Sequence, residues 1–114
     1  MSGGTITWRI EERDGARIVT PDGRVDESTA TAFTERLIAE AGGARGKLVL
    51  DLSGIAYMSS RGLRALTLAQ REATRAGATI VLARPNETMR EILAISRYDM
   101  IFTVAGTIED ALAG

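Results

Sequence analysis

The chain of 114 residues has no cysteine, no histidine and a single lysine, Lys47. Without cysteine there is no disulfide framework, so the fold has to hold on its core alone. The same absences remove Ser-His and Cys-His nucleophilic chemistry and the usual zinc ligands. Lys47 is the one candidate lysine base, and it opens an apolar run that reads as a strand. No catalytic residue, metal ligand or cofactor is therefore assigned, and the chain is not expected to be an enzyme. Aromatic residues make up 4% of the chain, too few for a platform on which nucleic-acid bases stack. A net charge of −1 supplies no field that would recruit nucleic acid or an anionic membrane. No apolar run approaches the roughly 18 residues of a membrane span, so no membrane insertion is expected. Residues 1–4 lack the basic and apolar regions of a secretory signal; a flexible N-terminus and a cytoplasmic protein are expected.

What is present is ordinary for a globular domain: 45% hydrophobic and 25% charged residues, enough for one domain over residues 1–114. Ile6, Trp8 and Ile10 alternate with polar neighbours, as in a strand with one buried face. Asp14-Gly15 is a two-residue hairpin signal that returns the chain through residues 17–20. Pro21-Asp22-Gly23 is expected to break this second strand. Asp26 or Ser28 then caps a helix on which Ala30, Phe33, Leu37 and Ala41 recur at helical spacing, and Gly42-Gly43 ends it. The following Ala-Gly-Gly-Ala-Arg-Gly-Lys resembles a phosphate-binding P-loop only superficially. Leu48 stands where a metal-binding hydroxyl is required, and the lysine leads into a strand instead of a helix.

Residues 47–66 form the stretch around which the chain is organised. Leu48-Val49-Leu50 is a continuous apolar run closed by Asp51, which marks the strand end more plausibly than a metal site. A short link over residues 53–58 leads to Ser59 and Ser60, where a helix over 61–76 begins, closed by Gly77. A serine at this point suits an N-cap or a phosphate, since the first N–H groups of a helix have no partner of their own. At 100° per residue Leu63, Leu66, Ala69 and Ala73 share the core face. Arg61, Arg64, Arg71 and Arg75 cluster on another side with Leu68 among them, a pattern suited to docking an acidic partner. Its competitor is a solvated face with one stray leucine. Residues 78–83 form another apolar strand, Pro85 breaks it, and Asn86 caps a helix whose Met89, Ile92 and Leu93 face the core. Residues 101–104 are a last short strand, and Thr107-Ile108-Glu109-Asp110 opens a terminal helix. The order β-β-α-β-α-β-α-β-α implies an α/β fold: a mixed central sheet of about five strands carrying about four helices.

Tyr57-Met58-Ser59-Ser60-Arg61-Gly62-Leu63, following a strand that ends in Asp51, resembles the STAS family, in particular its free-standing bacterial anti-sigma factor antagonists. Gly23-Arg24-Val25-Asp26 is similar to the family's Gly-x-Leu-Asp step, and residues 107–112 to its closing helix. The family's loop usually reads Asp-Ser-Ser-Gly or Asp-Thr-Ser-Gly, with the residue after Asp phosphorylated. Registering on Gly62 and Leu63 puts Ser59 at the Asp position, Ser60 at the phosphorylated position and Arg61 at the second serine. The resemblance thus implies phosphorylation at Ser60, with Ser59 as second choice. It also implies a partner surface that takes in Gly23, Arg24, Asp26, Tyr57, Met58, Ser59 and Arg61; the angular pattern of the helix adds Arg64, Leu68 and Arg71 to it.

By the same resemblance, the unphosphorylated domain would sequester an anti-sigma factor that is also a serine kinase, release it on phosphorylation, and be restored by a serine phosphatase. Ser59 in place of the Asp and Arg61 in place of the Ser feed an alternative. This is a STAS subunit, never phosphorylated, of a lipid-transport ABC system or a signalling scaffold. Oligomeric state is not legible in the sequence.

Overall fold

The computed structural model describes residues 5–113; the N-terminal segment expected to be flexible, residues 1–4, lies outside them. Strand β1 (Thr7–Arg13) pairs antiparallel with β2 (Ala16–Val25). Asp14 and Gly15 between them both have positive φ, 53° and 78°, the geometry that matches a tight hairpin to the strand twist. Helix α1 (Ala30–Gly42) leads to β3 (Gly46–Asp51), and β4 (Ile55–Met58) precedes α2 (Ser60–Ala76). Then follow β5 (Ala78–Ala83), α3 (Glu87–Ile95), a 3-10 turn (Tyr98–Met100), β6 (Thr103–Ala105) and α4 (Ile108–Ala113). The sheet runs β1-β2-β3-β5-β6, parallel from β2 onward, with β4 pairing parallel to the far end of β2.

The apolar run of β3 is continuous because both faces of the sheet are covered. Leu48 and Leu50 join the large core with Phe33 and Leu37 of α1, Leu63 and Leu66 of α2, and Met89 and Leu93 of α3. Val49 points the other way, into a smaller cluster with Ile18, Val81, Ala83 and Ala111 of α4. The Lys47 ammonium ends β3's approach by donating to the carbonyls of Ala111 (2.7 Å) and Leu112 (3.2 Å), fixing the C-terminal end of α4. No helix among the described residues is long and apolar enough to cross a membrane.

Several expectations are corrected. Pro21 does not end β2, which continues to Val25. The strand is changing partners there: its ladder to β3 stops at Val19 and its ladder to β4 starts at Gly23. No parallel neighbour asks for the missing proline N–H in between. The link at residues 53–58 is a turn followed by strand β4, so the sheet has six strands and the order is β-β-α-β-β-α-β-α-β-α. Ile101 lies before β6, which begins at Thr103. Trp8 is half-buried, stacked on Phe33 at 5.5 Å with Arg36 over its outer face at 5.2 Å. Neither Asp26 nor Ser28 caps α1; the N-cap position is Thr29, whose side chain makes no cap bond to the helix.

Candidate functional site

The serine pair sits where β4 delivers the chain into α2, and the two hydroxyls have different jobs. Ser59 is the N-cap: its backbone is extended (φ −75°, ψ 175°) and its Oγ accepts from the Gly62 N–H at 3.4 Å. Its own N–H donates to the Val25 carbonyl at 2.8 Å, tying the helix entrance to the end of β2. Of the two serines suited to the cap, the first takes it. Ser60 is the first residue of α2 and exposed, so its hydroxyl faces solvent beside the helix N-terminus. No acidic residue lies in the first turn of α2 to meet its partial positive charge.

Gly62 explains how this turn can sit so low on the sheet. A Cβ built there would stand 2.4 Å from Met58 Cγ and 2.7 Å from Val25 Cγ1. Glycine is demanded by close approach, not by its dihedrals. Met58 is 2% exposed, so it holds the site from beneath and presents no surface to a partner, contrary to its place among the expected contact residues.

The loop of residues 26–29 lies alongside. The Asp26 carboxylate accepts from the Ser28 hydroxyl (2.7 Å) and the Ser28 N–H (2.9 Å). With Arg24 3.4 Å away, these hydrogen bonds, the hydroxyl first, hold the Asp26 carboxyl below its usual range. Buried Thr29 locks the loop from below, donating to the Arg24 carbonyl (2.7 Å) and accepting from the Asp26 N–H (2.9 Å). The Arg24 guanidinium also lies 4.4 Å from the centroid of the Tyr57 ring, its cross-strand partner. Gly23, at φ 144° where the register between β2 and β4 shifts, shapes this bend; it is half-buried.

Arg61 joins the two loops. Its guanidinium donates to Glu27 Oε1 (3.1 Å) and to Thr31 Oγ1 (3.0 Å). Glu27 and Thr31 were not anticipated: nothing in the sequence couples residue 27 to one more than thirty positions on. Between α1 and α2 runs a groove of about 330 Å3 lined by Thr31, Thr34, Glu35, Arg61, Arg64 and Leu68. Leu68 is half-buried in it, and Arg64, exposed, makes no ion pair among the described residues. Arg71 is exposed further along α2 and does not line the groove. The structure thus brings Arg24, Asp26, Tyr57, Ser59, Ser60, Arg61, Arg64 and Leu68 onto neighbouring elements at one end of the fold, and leaves Arg71 at the margin. Asp51 is not part of it: buried, it accepts from the Ser53 N–H at 3.0 Å with Arg84 3.6 Å away. No group of three or more potential metal-ligating side chains occurs among the described residues.

The STAS domain profile matches residues 7–111. BtrV of Bordetella bronchiseptica, provisionally named an anti-sigma factor antagonist, is 31% identical over 91% of this chain and 90% of its own. The anti-sigma-F factor antagonist RsfB of Mycobacterium tuberculosis is 28% identical over 96% of this chain and 89% of its own. Among solved structures, an anti-sigma factor antagonist from Mycobacterium paratuberculosis superimposes with a TM-score of 0.81 at 27% identity, covering 99% of this chain and 97% of that one. The Bacillus protein SpoIIAA shares the fold in both its unphosphorylated form (TM-score 0.71, 18% identity) and its phosphorylated form (TM-score 0.64, 19% identity).

Proposed function

From the premise that this chain belongs to the STAS domain family, we propose that it is a cytoplasmic anti-sigma factor antagonist switched by phosphorylation at Ser60. Unmodified, it binds an anti-sigma factor that is also a serine kinase and so frees a sigma factor. Phosphorylated, it lets that partner go, and a serine phosphatase resets it. It binds and is modified; it catalyses nothing itself.

The observation that carries this reading is the exposed position of Ser60 at an uncompensated helix N-terminus, contiguous with the α1–α2 groove. A phosphate there adds about −1.5 to −2 charges. A helix N-terminus tolerates such a charge, and the capping work is done by Ser59, so the modification leaves the fold intact. Its effect falls on the docking surface, through bulk and like-charge repulsion of a partner whose carboxylates meet Arg61 and Arg64 around Leu68.

The test is an affinity capture from source cells with wild type, Ser60→Ala and Ser60→Asp, together with mass spectrometry of the native chain. Capture of an ATP-binding kinase by wild type and Ser60→Ala but not by Ser60→Asp, with phosphate mapped to Ser60, is the expected result. Equal capture by all three, no phosphate at Ser60, and a membrane transporter subunit in the eluate would replace the switch with a constitutive subunit role.

A further inference from the structure

Arg61 occupies the place where the family pattern has a hydroxyl, and here it is already engaged. We infer that Arg61 is a built-in receptor for the Ser60 phosphate: phosphorylation draws its guanidinium off Glu27 and Thr31, and Arg64 joins it from one turn further on. The inference rests on Ser60 being the modified residue and adds how the modification is read out.

Three features make the exchange favourable. The pair to be broken is weak, since the Glu27 side chain is 82% exposed and that of Arg61 47% exposed, where water and salt screen the attraction. The acceptor on offer is stronger: a phosphate presents three oxygens and nearly two charges to a planar fork built for bidentate contact. Arg64 is four residues from Ser60, hence on the same side of the helix, and has no ion pair to give up among the described residues. Arg64 lies about 40° from Ser60 around the helix axis and Arg61 about 100°, so Arg61 comes to the phosphate by the reach of its long side chain and not by sharing its face.

The consequence reaches the groove. Before modification Arg61 is held by Glu27 at the mouth of the groove, and Arg64 shares the groove lining with Glu35 without pairing to it. After it, both guanidinium groups are turned to the phosphate and Glu27 is left unpaired. An acidic partner then loses its two cationic anchors to an internal competitor. Release therefore follows from occupation of the arginines as well as from repulsion.

The chain with phosphoserine placed at position 60 during translation allows a test that needs neither kinase nor partner. Its second phosphate ionisation, near pH 6 for a free phosphoserine, is followed by phosphorus NMR in the folded protein and in urea. Arg61→Gln should raise that value by about half a pH unit, and Glu27→Gln, which removes the competitor, should lower it. In the Arg61→Gln background the Glu27→Gln effect should largely vanish, because the competition no longer exists. An unchanged titration in Arg61→Gln, or an equal Glu27→Gln shift in both backgrounds, overturns the exchange. Absence of phosphate on Ser60 in source cells would defeat the proposed switch and leave this titration standing, so the two can fail separately.

Discussion

Adding one methyl group at Gly62 should destabilise the chain although alanine is the better helix former. The new Cβ would lie 2.4 Å from Met58 Cγ and 2.7 Å from Val25 Cγ1, whereas carbon atoms settle near 3.5–4 Å apart. Both neighbours are buried, Val25 at 0% and Met58 at 2%, so relief means moving the first turn of α2 away from β2 and β4. Forced overpacking of this kind costs about 1–3 kcal/mol, against a helix-propensity gain of up to about 1 kcal/mol for Gly→Ala. Contacts this short put the cost in the upper half of that range, so the net loss is about 1–2 kcal/mol, a fall in Tm of roughly 4–8 °C for a domain of this size. Urea unfolding followed by circular dichroism reads it directly, with Met58→Ala as the partner change. Met58→Ala alone should cost about 2–5 kcal/mol, and the double variant should be more stable than the sum by about 1 kcal/mol or more. Gly62→Ala matching or exceeding the wild type would refute close approach as the reason for glycine here.

Other consequences follow from the same geometry. Ser59→Ala, which removes the cap, should cost about 1 kcal/mol, while Ser60→Ala at the exposed first position should stay within about 0.5 kcal/mol, both measured by urea unfolding. Asn86 caps α3 through Met89 N–H at 2.9 Å and donates from Nδ2 to the Ile55 carbonyl at 2.7 Å. Asn86→Asp keeps the cap but sets two oxygens face to face, so it should lose about 1–3 kcal/mol although Asp and Asn cap equally well elsewhere. The lowered Asp26 pKa contributes stability that is complete above the unfolded carboxyl value of 3.8 and is lost as pH falls through the lower folded one. Asp26→Asn should therefore reduce Tm at pH 6 and make little difference near pH 2. Leu68→Asp, at a half-buried groove position, should shift stability by no more than about 1 kcal/mol and abolish partner capture in the pull-down.

Periodicity made the helices legible. Ala30, Phe33, Leu37 and Ala41 of α1, and Leu63, Leu66, Ala69 and Ala73 of α2, are buried as their spacing demands. Gly77 closes α2 in the left-handed conformation at φ 86°, a role its position after the last turn announces. Strand β4 was hidden because four residues are too few for a pattern, and because its partner lies beyond Pro21, where local chemistry argues for a break. Ser59 caps α2 in place of its neighbour because adjacent serines compete for the cap on nearly equal terms, whereas Thr29 holds the α1 cap position with its hydroxyl committed to the preceding loop. Ser60 was nominated as the modified residue by resemblance, whereas the Arg61–Glu27 link and the approach of Gly62 to Met58 depend on how separate elements meet, which no local spacing encodes. The arginine side of α2 also divided in a way its angular pattern could not reveal: Arg64 lines the groove with Leu68, and Arg71 does not.

The most direct measurement is calorimetric titration of the captured anti-sigma partner into the chain with Ser60 unmodified and with phosphoserine at position 60. The account predicts a loss of affinity of about 100-fold or more, with Tm of the phosphorylated chain within a few degrees of the unmodified one. Equal affinity for the two forms would contradict it, and so would a loss of affinity accompanied by unfolding of the domain.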